Sequence, residues 1–330
     1  MQKKSLRLKS VVAVDIGGTK IMVALFSEDG KILAKKTIPT LANEGADAIV
    51  ERLYSTIKEV LESKSISLRE IDAICIACAG SIDTKKGVVE TPSPHLPGWA
   101  GLPLADIIRD KTGVVTYIIN DASAAALGEQ RYGVGKDVRN LVLLTLGTGI
   151  GGGIIIDGQL YLGARGAAGE LGHMTVEAHG PGCGCGNIGC LEILASGTAI
   201  EDDAISRLRR GEKSILVTMS EGDFDRITTQ MVGKAAQSLD KLSQDVIARA
   251  AYYLGVGMVN IVNVFDPEMV VIGGGISGLG EMIIAPGRKM VATQAFSITA
   301  RTVRIVIGQL GNEAGVYGAA AFAFDMRRHS

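Results

Sequence analysis

V-V-A-V-D-I-G-G-T-K-I-M-V-A-L, residues 11–25, runs from an apolar segment through one acid and a Gly/Thr turn into a second apolar segment. That order predicts a β-hairpin with a tight, glycine-built turn. The pattern returns at 141–156 as L-V-L-L-T-L-G-T-G-I-G-G-G-I-I-I, with Thr145 standing where Asp15 stands in the first copy. A repeat of this kind predicts a duplicated α/β chain with one such hairpin in each lobe. A length of 330 residues also favours two lobes over one core.

Helical segments fall between the hairpins. Residues 46–62 place Ile49, Leu53, Ile57, Val60 and Leu61 on one face. Ala122 to Gln130 is Ala-rich, with Asn120 or Asp121 as its N-cap. Residues 244–264 predict a long helix whose Gly255 and Gly257 allow close packing, and a last helix starts near Asn312 and ends at Arg327 and Arg328. We place the lobe boundary at Asp121: 1–121 as the smaller lobe, 122–311 as the larger, and 312–330 crossing back to the first.

Bulk composition excludes several classes. A 47% hydrophobic content marks a folded chain, and a formal net charge of -1 argues against a general nucleic-acid binder. The basic start, Lys3, Lys4, Arg7 and Lys9, reads as a solvated tail. The uncharged run at 140–156 is too interrupted by glycine for a membrane span, and no signal-peptide core opens the chain, so the cytoplasm is the expected compartment.

The turns carry the first chemistry. In D-I-G-G-T-K, Gly17 and Gly18 let the backbone approach an anion, the turn amides and Thr19 can donate to phosphate, and Asp15 can hold Mg²⁺ through water. Two such turns facing each other would clamp a nucleoside triphosphate tail. V-I-G-G-G-I-S (271–277) is a third glycine turn after a strand, suited to backbone contacts with adenosine. It is neither a Walker loop nor a dinucleotide fingerprint. Asn120-Asp121 ends an apolar strand and opens a helix. Asp121 can be a plain cap, or a general base kept ionised by the helix N-terminus.

The five cysteines divide. Cys75 and Cys78 sit in an apolar strand at a spacing that puts them on opposite faces, which favours burial over redox pairing. Cys183, Cys185 and Cys190, in C-G-C-G-N-I-G-C, combine with His173 into a set typical of a closed structural zinc site. One nitrogen of His173 would face the metal and the other a ligand. Glu170 and Glu192 flank the set as spare carboxylates.

Taken in order, D-I-G-G-T-K, N-D before an Ala-rich helix, L-G-T-G-I-G-G-G, A-G-E-L-G-H and C-G-C-G-N-I-G-C-L-E resemble the ROK family (repressor, open reading frame, kinase), most closely its bacterial glucokinases. The resemblance spans about residue 11 to about residue 325. It implies the actin-like ATPase fold of the hexokinase type, two α/β lobes around a cleft. By resemblance, Asp15 to Lys20 (with Gly17, Gly18 and Thr19) is the first phosphate loop and Gly147, Thr148 and Gly149 lie in the second. Gly273, Gly274 and Gly275 lie by adenosine. Asp121 matches the catalytic base; Asn120, Glu170, His173 and Glu192 match sugar-hydroxyl ligands, and Gly80 keeps a backbone contact. His173, Cys183, Cys185 and Cys190 match zinc ligands.

The expected activity is ATP-dependent, Mg²⁺-assisted phosphorylation of a hexose, most simply D-glucose at O6. Fructose, N-acetylglucosamine, N-acetylmannosamine or mannose remain as acceptors, and polyphosphate as donor. Family members that are sugar-responsive repressors carry a long N-terminal DNA-binding region. Only about ten residues precede the first strand in this sequence, fewer than a helix-turn-helix needs. A homodimer or homotetramer is expected by resemblance. The sequence departs from the family at A-C-A-G (77–80), at His95 and at Ser123, which stands for a frequent Asn.

Overall fold

The computed structural model describes residues 9–92, 96–296, 298 and 302–328. Lys3, Lys4, Arg7 and His95 lie outside them. Both hairpins form, and each nucleates a five-stranded sheet. In the first sheet β1 (Ser10–Ile16), β2 (Lys20–Ser27) and β3 (Ile32–Pro39) make an antiparallel meander. β4 (Ala73–Cys78) then adds parallel to β1. A side hairpin of β5 (Gly80–Asp83) and β6 (Val88–Pro92) follows, and β7 (Thr116–Asn120) adds parallel to β4. In the second sheet β8 (Leu141–Leu146), β9 (Ile150–Ile156) and β10 (Gln159–Leu160) repeat the meander. β11 (Met269–Gly273) and β12 (Arg304–Ile307) repeat the parallel pair. The strand orders, β3-β2-β1-β4-β7 and β10-β9-β8-β11-β12, are the same path drawn twice. This is the duplicated actin-like ATPase architecture.

Strand alternation builds three apolar layers. Val12, Val14 and Ile16 face the helices Ala46–Glu62 and Leu104–Thr112 on the outer side of the first sheet. Val11 and Ala13 face inward, where Leu141 and Leu143 of the second sheet face the same layer. Between the sheets lie two helices, Asp121–Tyr132 and Ala314–Arg328. They cross closely because glycine removes the side chains at the contact. A Cβ at Gly318 would stand 1.6 Å from the Ala124 carbonyl oxygen, and one at Gly128 2.4 Å from that of Ala314. Val142, Leu144 and Leu146 face the helical mass on the far side of the second sheet.

The helix Lys241–Phe265 is central to that mass. It alone among the described helices has the length and apolar content of a membrane span. Its stripe from Leu242 to Val262 is nevertheless packed inside the protein, with Gly255 against Met290 and Gly257 against Leu191. Cys75 points into the layer between the sheets and Cys78 into the outer layer, as the odd spacing requires. Burial raises both thiols well above their ordinary range, so neither is a ready nucleophile.

Candidate active site

Parallel strands deliver their carboxyl ends to one edge of a sheet, and ligands of open α/β sheets bind beyond that edge. The register here aligns Ile16 with Cys78 and Cys78 with Asn120. The ends of β1, β4 and β7 therefore present Asp15, Gly80 and Asp121 together. The matching edge of the second sheet presents the Gly147–Gly149 turn beside Gly273, which pairs with Thr145.

Asn120 is the N-cap of the helix at the end of β7. Its Oδ1 accepts from Ser123 N–H at 3.0 Å, and its Nδ2 donates to the Gly80 carbonyl at 3.2 Å and to Asp121 Oδ1 at 3.1 Å. Asp121 is thus released from capping. Its Oδ1 also accepts from Ala122 N–H at 2.8 Å. The helix N-terminus does not keep this carboxylate easily ionised, as the sequence suggested. Burial raises its pKa, and the backbone N–H groups and Asn120 only partly offset that. A raised carboxylate is the better proton acceptor.

Asp15 is enclosed as well, with no hydrogen-bond donor on it among the described residues. Burial first, and then the nearby Asp121 carboxylate, push it from 3.8 to about 7 against the pull of Lys20. Gly315, at the start of the last helix, backs onto it; a Cβ there would lie 2.6 Å from Asp15 Oδ2. An unpartnered buried carboxylate at a cleft edge fits a cation held through water.

The two glycine turns differ in their anchors. The first closes through Gly17 N–H to the Lys20 carbonyl at 3.0 Å, and buried Thr40 grips it, its hydroxyl donating to the Gly17 carbonyl at 2.6 Å. The second is held by the start of the helix Gly197–Arg209: Gly197 N–H donates to Gly147 at 2.8 Å and the Thr198 hydroxyl to Thr148 at 2.9 Å. Thr40, Gly197 and Thr198 carried no signal in the sequence, since each acts by position on the folded chain. Gly151 and Gly153 also serve packing, and Gly151 and Gly152 line the cleft as well. A Cβ at Gly151 would meet Ala122 at 2.7 Å and one at Gly153 would meet Ala126 at 2.5 Å, so they seat the helix that carries Asp121. Gly274, at φ 83°, lies against the Leu146 carbonyl and brings the third turn beside the second.

His173, Cys183, Cys185 and Cys190 come together, their ligand atoms all within 4.8 Å of one another. Cys183 Sγ is 3.8 Å from His173 Nδ1, and Cys185 Sγ is 3.8 Å from Cys190 Sγ. Two thiolates bound at ~2.3 Å in a tetrahedron stand ~3.8 Å apart, so the cluster has the dimensions of a zinc site. Burial and the neighbouring sulfurs push the Cys190 thiol to about 12 without a cation. Each end of the cluster carries one spare acid. Glu170 precedes the 3₁₀ turn Leu171–His173. Glu192 lies in the first turn of Leu191–Ala195, directly after Cys190, and its Oε2 accepts from Ile150 N–H at 2.8 Å. Burial raises Glu170, with His173 opposing and Asp121 and Glu192 adding to it. The three acids therefore feel one another across the cleft.

A cleft of ≈ 280 Å³, its open mouth included, is lined by Gly80, Asn120 and Glu170 together with Ser81, Ile82 and Gly166–Gly169. Ser81, Ile82, Gly166 and Ala167 escaped the sequence reading, whereas Ala168 and Gly169 lie in the A-G-E-L-G-H motif. The only hint was a run of small residues, G-A-A-G, directly before Glu170. Gly166, at φ 87°, reaches across to β5: a Cβ there would meet the Ile82 carbonyl at 2.5 Å.

The ROK family model matches residues 11–326. The glucokinase of Thermotoga maritima is 38% identical over 314 residues, covering 94% of this chain and 96% of that protein. A xylose repressor of Caldicellulosiruptor bescii is 31% identical over 94% of this chain and 77% of its own length. Among solved structures, a ROK family glucokinase from Streptomyces griseus in complex with glucose and AMPPNP superposes with a TM-score of 0.82 at 33% identity, over 97% of this chain and 100% of that one. Hairpin, cleft edge and Cys₃His cluster thus sit in a scaffold matched along nearly its whole length, and the chain belongs to the ROK family.

Proposed function

We propose that this protein is a sugar kinase that transfers the terminal phosphoryl group of ATP to a hexose, D-glucose at O6 being the preferred acceptor. The observation that supports this is a cleft lined by Gly80, Asn120 and Glu170, with the Asp121 and Glu192 carboxylates near enough to raise the pKa of Glu170. Asp121 accepts the hydroxyl proton as the oxygen attacks phosphorus. Its raised pKa and its freedom from capping suit it to that step. Asn120, Glu170, His173 and Glu192, with the backbone at Gly80, hold the sugar hydroxyls. Phosphoryl transfer rests on positioning and charge neutralisation. The turns 15–20 and 147–149 cradle the phosphates, and Gly273–Gly275 lie by adenosine.

Mg²⁺, when bound, neutralises phosphate charge, and Asp15 would hold it through water. Zn²⁺ would be held by His173, Cys183, Cys185 and Cys190 with no open position, which makes it structural; it would fix Glu170 and Glu192 relative to each other. We take 1–121 and 122–311 as the lobes, working in the cytoplasm as a homodimer or homotetramer.

Purified protein tested against a panel of hexoses with ATP and polyphosphate, read by coupled product release, should show glucose with ATP as the best pair. Selective turnover of N-acetylmannosamine, N-acetylglucosamine, fructose or mannose would move the substrate within the same class. The repressor similarity supports a second reading, a sugar-sensing regulator. Absence of turnover with any pair, together with DNA retention at low salt, would favour it.

A further inference from the structure

Glu129 is a carboxylate that the phosphoryl-transfer chemistry does not use. It lies on the helix Asp121–Tyr132 and is 1% exposed. No cation is bonded to it among the described residues. Its two oxygens accept from two separate backbone segments: Oε2 from Val134 N–H at 3.1 Å and Oε1 from Leu310 N–H at 2.8 Å. Its own carbonyl accepts from Gly133 and Gly135 N–H at 3.1 and 2.9 Å. Glycine makes room for the carboxylate on both sides. A Cβ at Gly133 would lie 2.0 Å from Oε2, and one at Gly308 2.7 Å from Oε1.

These two segments are the places where the chain passes between the sheets. The first passage runs from β7 through the Asp121 helix and Val134 to β8. The second runs from β12 through Leu310 to the last helix, which returns to pack on β1 and β4. The same helix backs onto Asp15 through Gly315. Any change in the angle between the sheets must bend these two strands of chain.

We infer that Glu129 is a positioning residue, a clasp that ties the two interlobe passages into one hinge, so that the lobes close on sugar and nucleotide as a unit. The inference rests on the sugar-kinase reading. A buried acceptor pair without a positive partner is costly unless the amides it binds are held in place, so the clasp fixes their relative positions. Loosening it lowers the population of the closed state, and apparent affinity falls for every ligand that needs closure, by a common factor.

The test compares Glu129→Ala, Glu129→Gln and Gly308→Ala with the wild-type chain. In Glu129→Ala, KM for sugar and for nucleotide should rise together, by about 5- to 20-fold, with kcat changed less than about threefold. The Gln side chain keeps one acceptor and turns an NH₂ group toward the other amide, so its rise should be smaller, about 2- to 5-fold. Gly308→Ala crowds the carboxylate without removing it, should behave like the Gln variant, and serves if the Ala variant does not fold. Amide exchange at Val134 and Leu310 should quicken in all three.

If folded variants melt earlier but keep both KM values within twofold, Glu129 only stabilises the fold and the hinge inference falls. A rise in one KM alone also overturns it, by tying Glu129 to one site. A wild-type chain that phosphorylates no sugar would sink the kinase reading instead, whereas unchanged exchange at both amides would sink the clasp whatever the activity.

Discussion

The two sheets follow one strand path, yet the edges they turn to the cleft differ. The edge of the first carries Asp15 and Asp121, two acids in a region poor in bonded cations. The edge of the second carries Thr145 where Asp15 stands, glycines, and a Cys₃His cluster flanked by Glu170 and Glu192. Duplication supplied two phosphate-type turns. On the proposed reading the labour is divided: the first edge takes the charge and proton chemistry, and the second takes rigid positioning.

The largest test of that division lies at Asp121. Asp121→Asn keeps the shape and the contacts to Ala122 and Asn120 but removes the proton acceptor. Turnover should fall by about 10²- to 10⁴-fold while sugar binding, read by calorimetry, stays near that of the wild type. Near-normal turnover would show that the first edge does not supply the base.

Asp15 against Thr145 is the next comparison. The folded pKa of Asp15 lies above its value in the unfolded chain, so protonation favours the folded state. In ligand-free protein its contribution is fully present below 3.8 and lost as pH rises through about 7. Asp15→Asn should therefore stabilise ligand-free protein at pH 8 by ~2–4 kcal/mol, the upper figure being the full three-unit shift. It should also flatten the fall in melting temperature between pH 4 and pH 7, while Thr145→Val leaves that slope unchanged. An unaltered slope in Asp15→Asn would mean that the acid is not buried as the fold implies.

Cys190→Ser probes the second edge. It should release zinc, measured by metal analysis, and weaken sugar binding by about 10- to 100-fold, because Glu192 sits in the helical turn that Cys190 caps and Glu170 precedes His173 by one short turn. Nucleotide affinity should change less, since the first turn is anchored by Thr40 on the other sheet. Equal losses for sugar and nucleotide would erase the proposed division.

Sequence made the duplication readable because a hairpin is a local object: apolar alternation and a glycine turn lie within fifteen residues or so. The Cys₃His cluster was readable for the same reason, with Cys183, Cys185 and Cys190 in one loop. Thr40, Thr198, Gly166 and Glu129 were not, because each matters through a partner far along the chain. The pKa of Asp121 also escaped. A helix N-terminus is visible in sequence, but the burial that outweighs it belongs to the packed cleft.

The smallest effects come from single methyl groups in the two turns, and they separate room kept for a ligand from room used by the fold. A Cβ at Gly17 would meet only the Lys20 carbonyl at 3.4 Å, and one at Gly147 only the Gly149 carbonyl at 3.9 Å. Neither glycine has a positive φ, so the protein itself can accept alanine at both. Gly17→Ala and Gly147→Ala should change stability by about 0.5 kcal/mol or less and raise KM for nucleotide several-fold, the methyl standing where phosphate approaches. At Gly149 a Cβ would lie 2.3 Å from Glu192 Oε2, so Gly149→Ala must push that carboxylate aside and should raise KM for sugar as well. If Gly17→Ala and Gly147→Ala bind nucleotide as the wild type does, the open space beside them is not a phosphate seat. The two turns would then be relics of duplication, with the clamp formed elsewhere on the cleft.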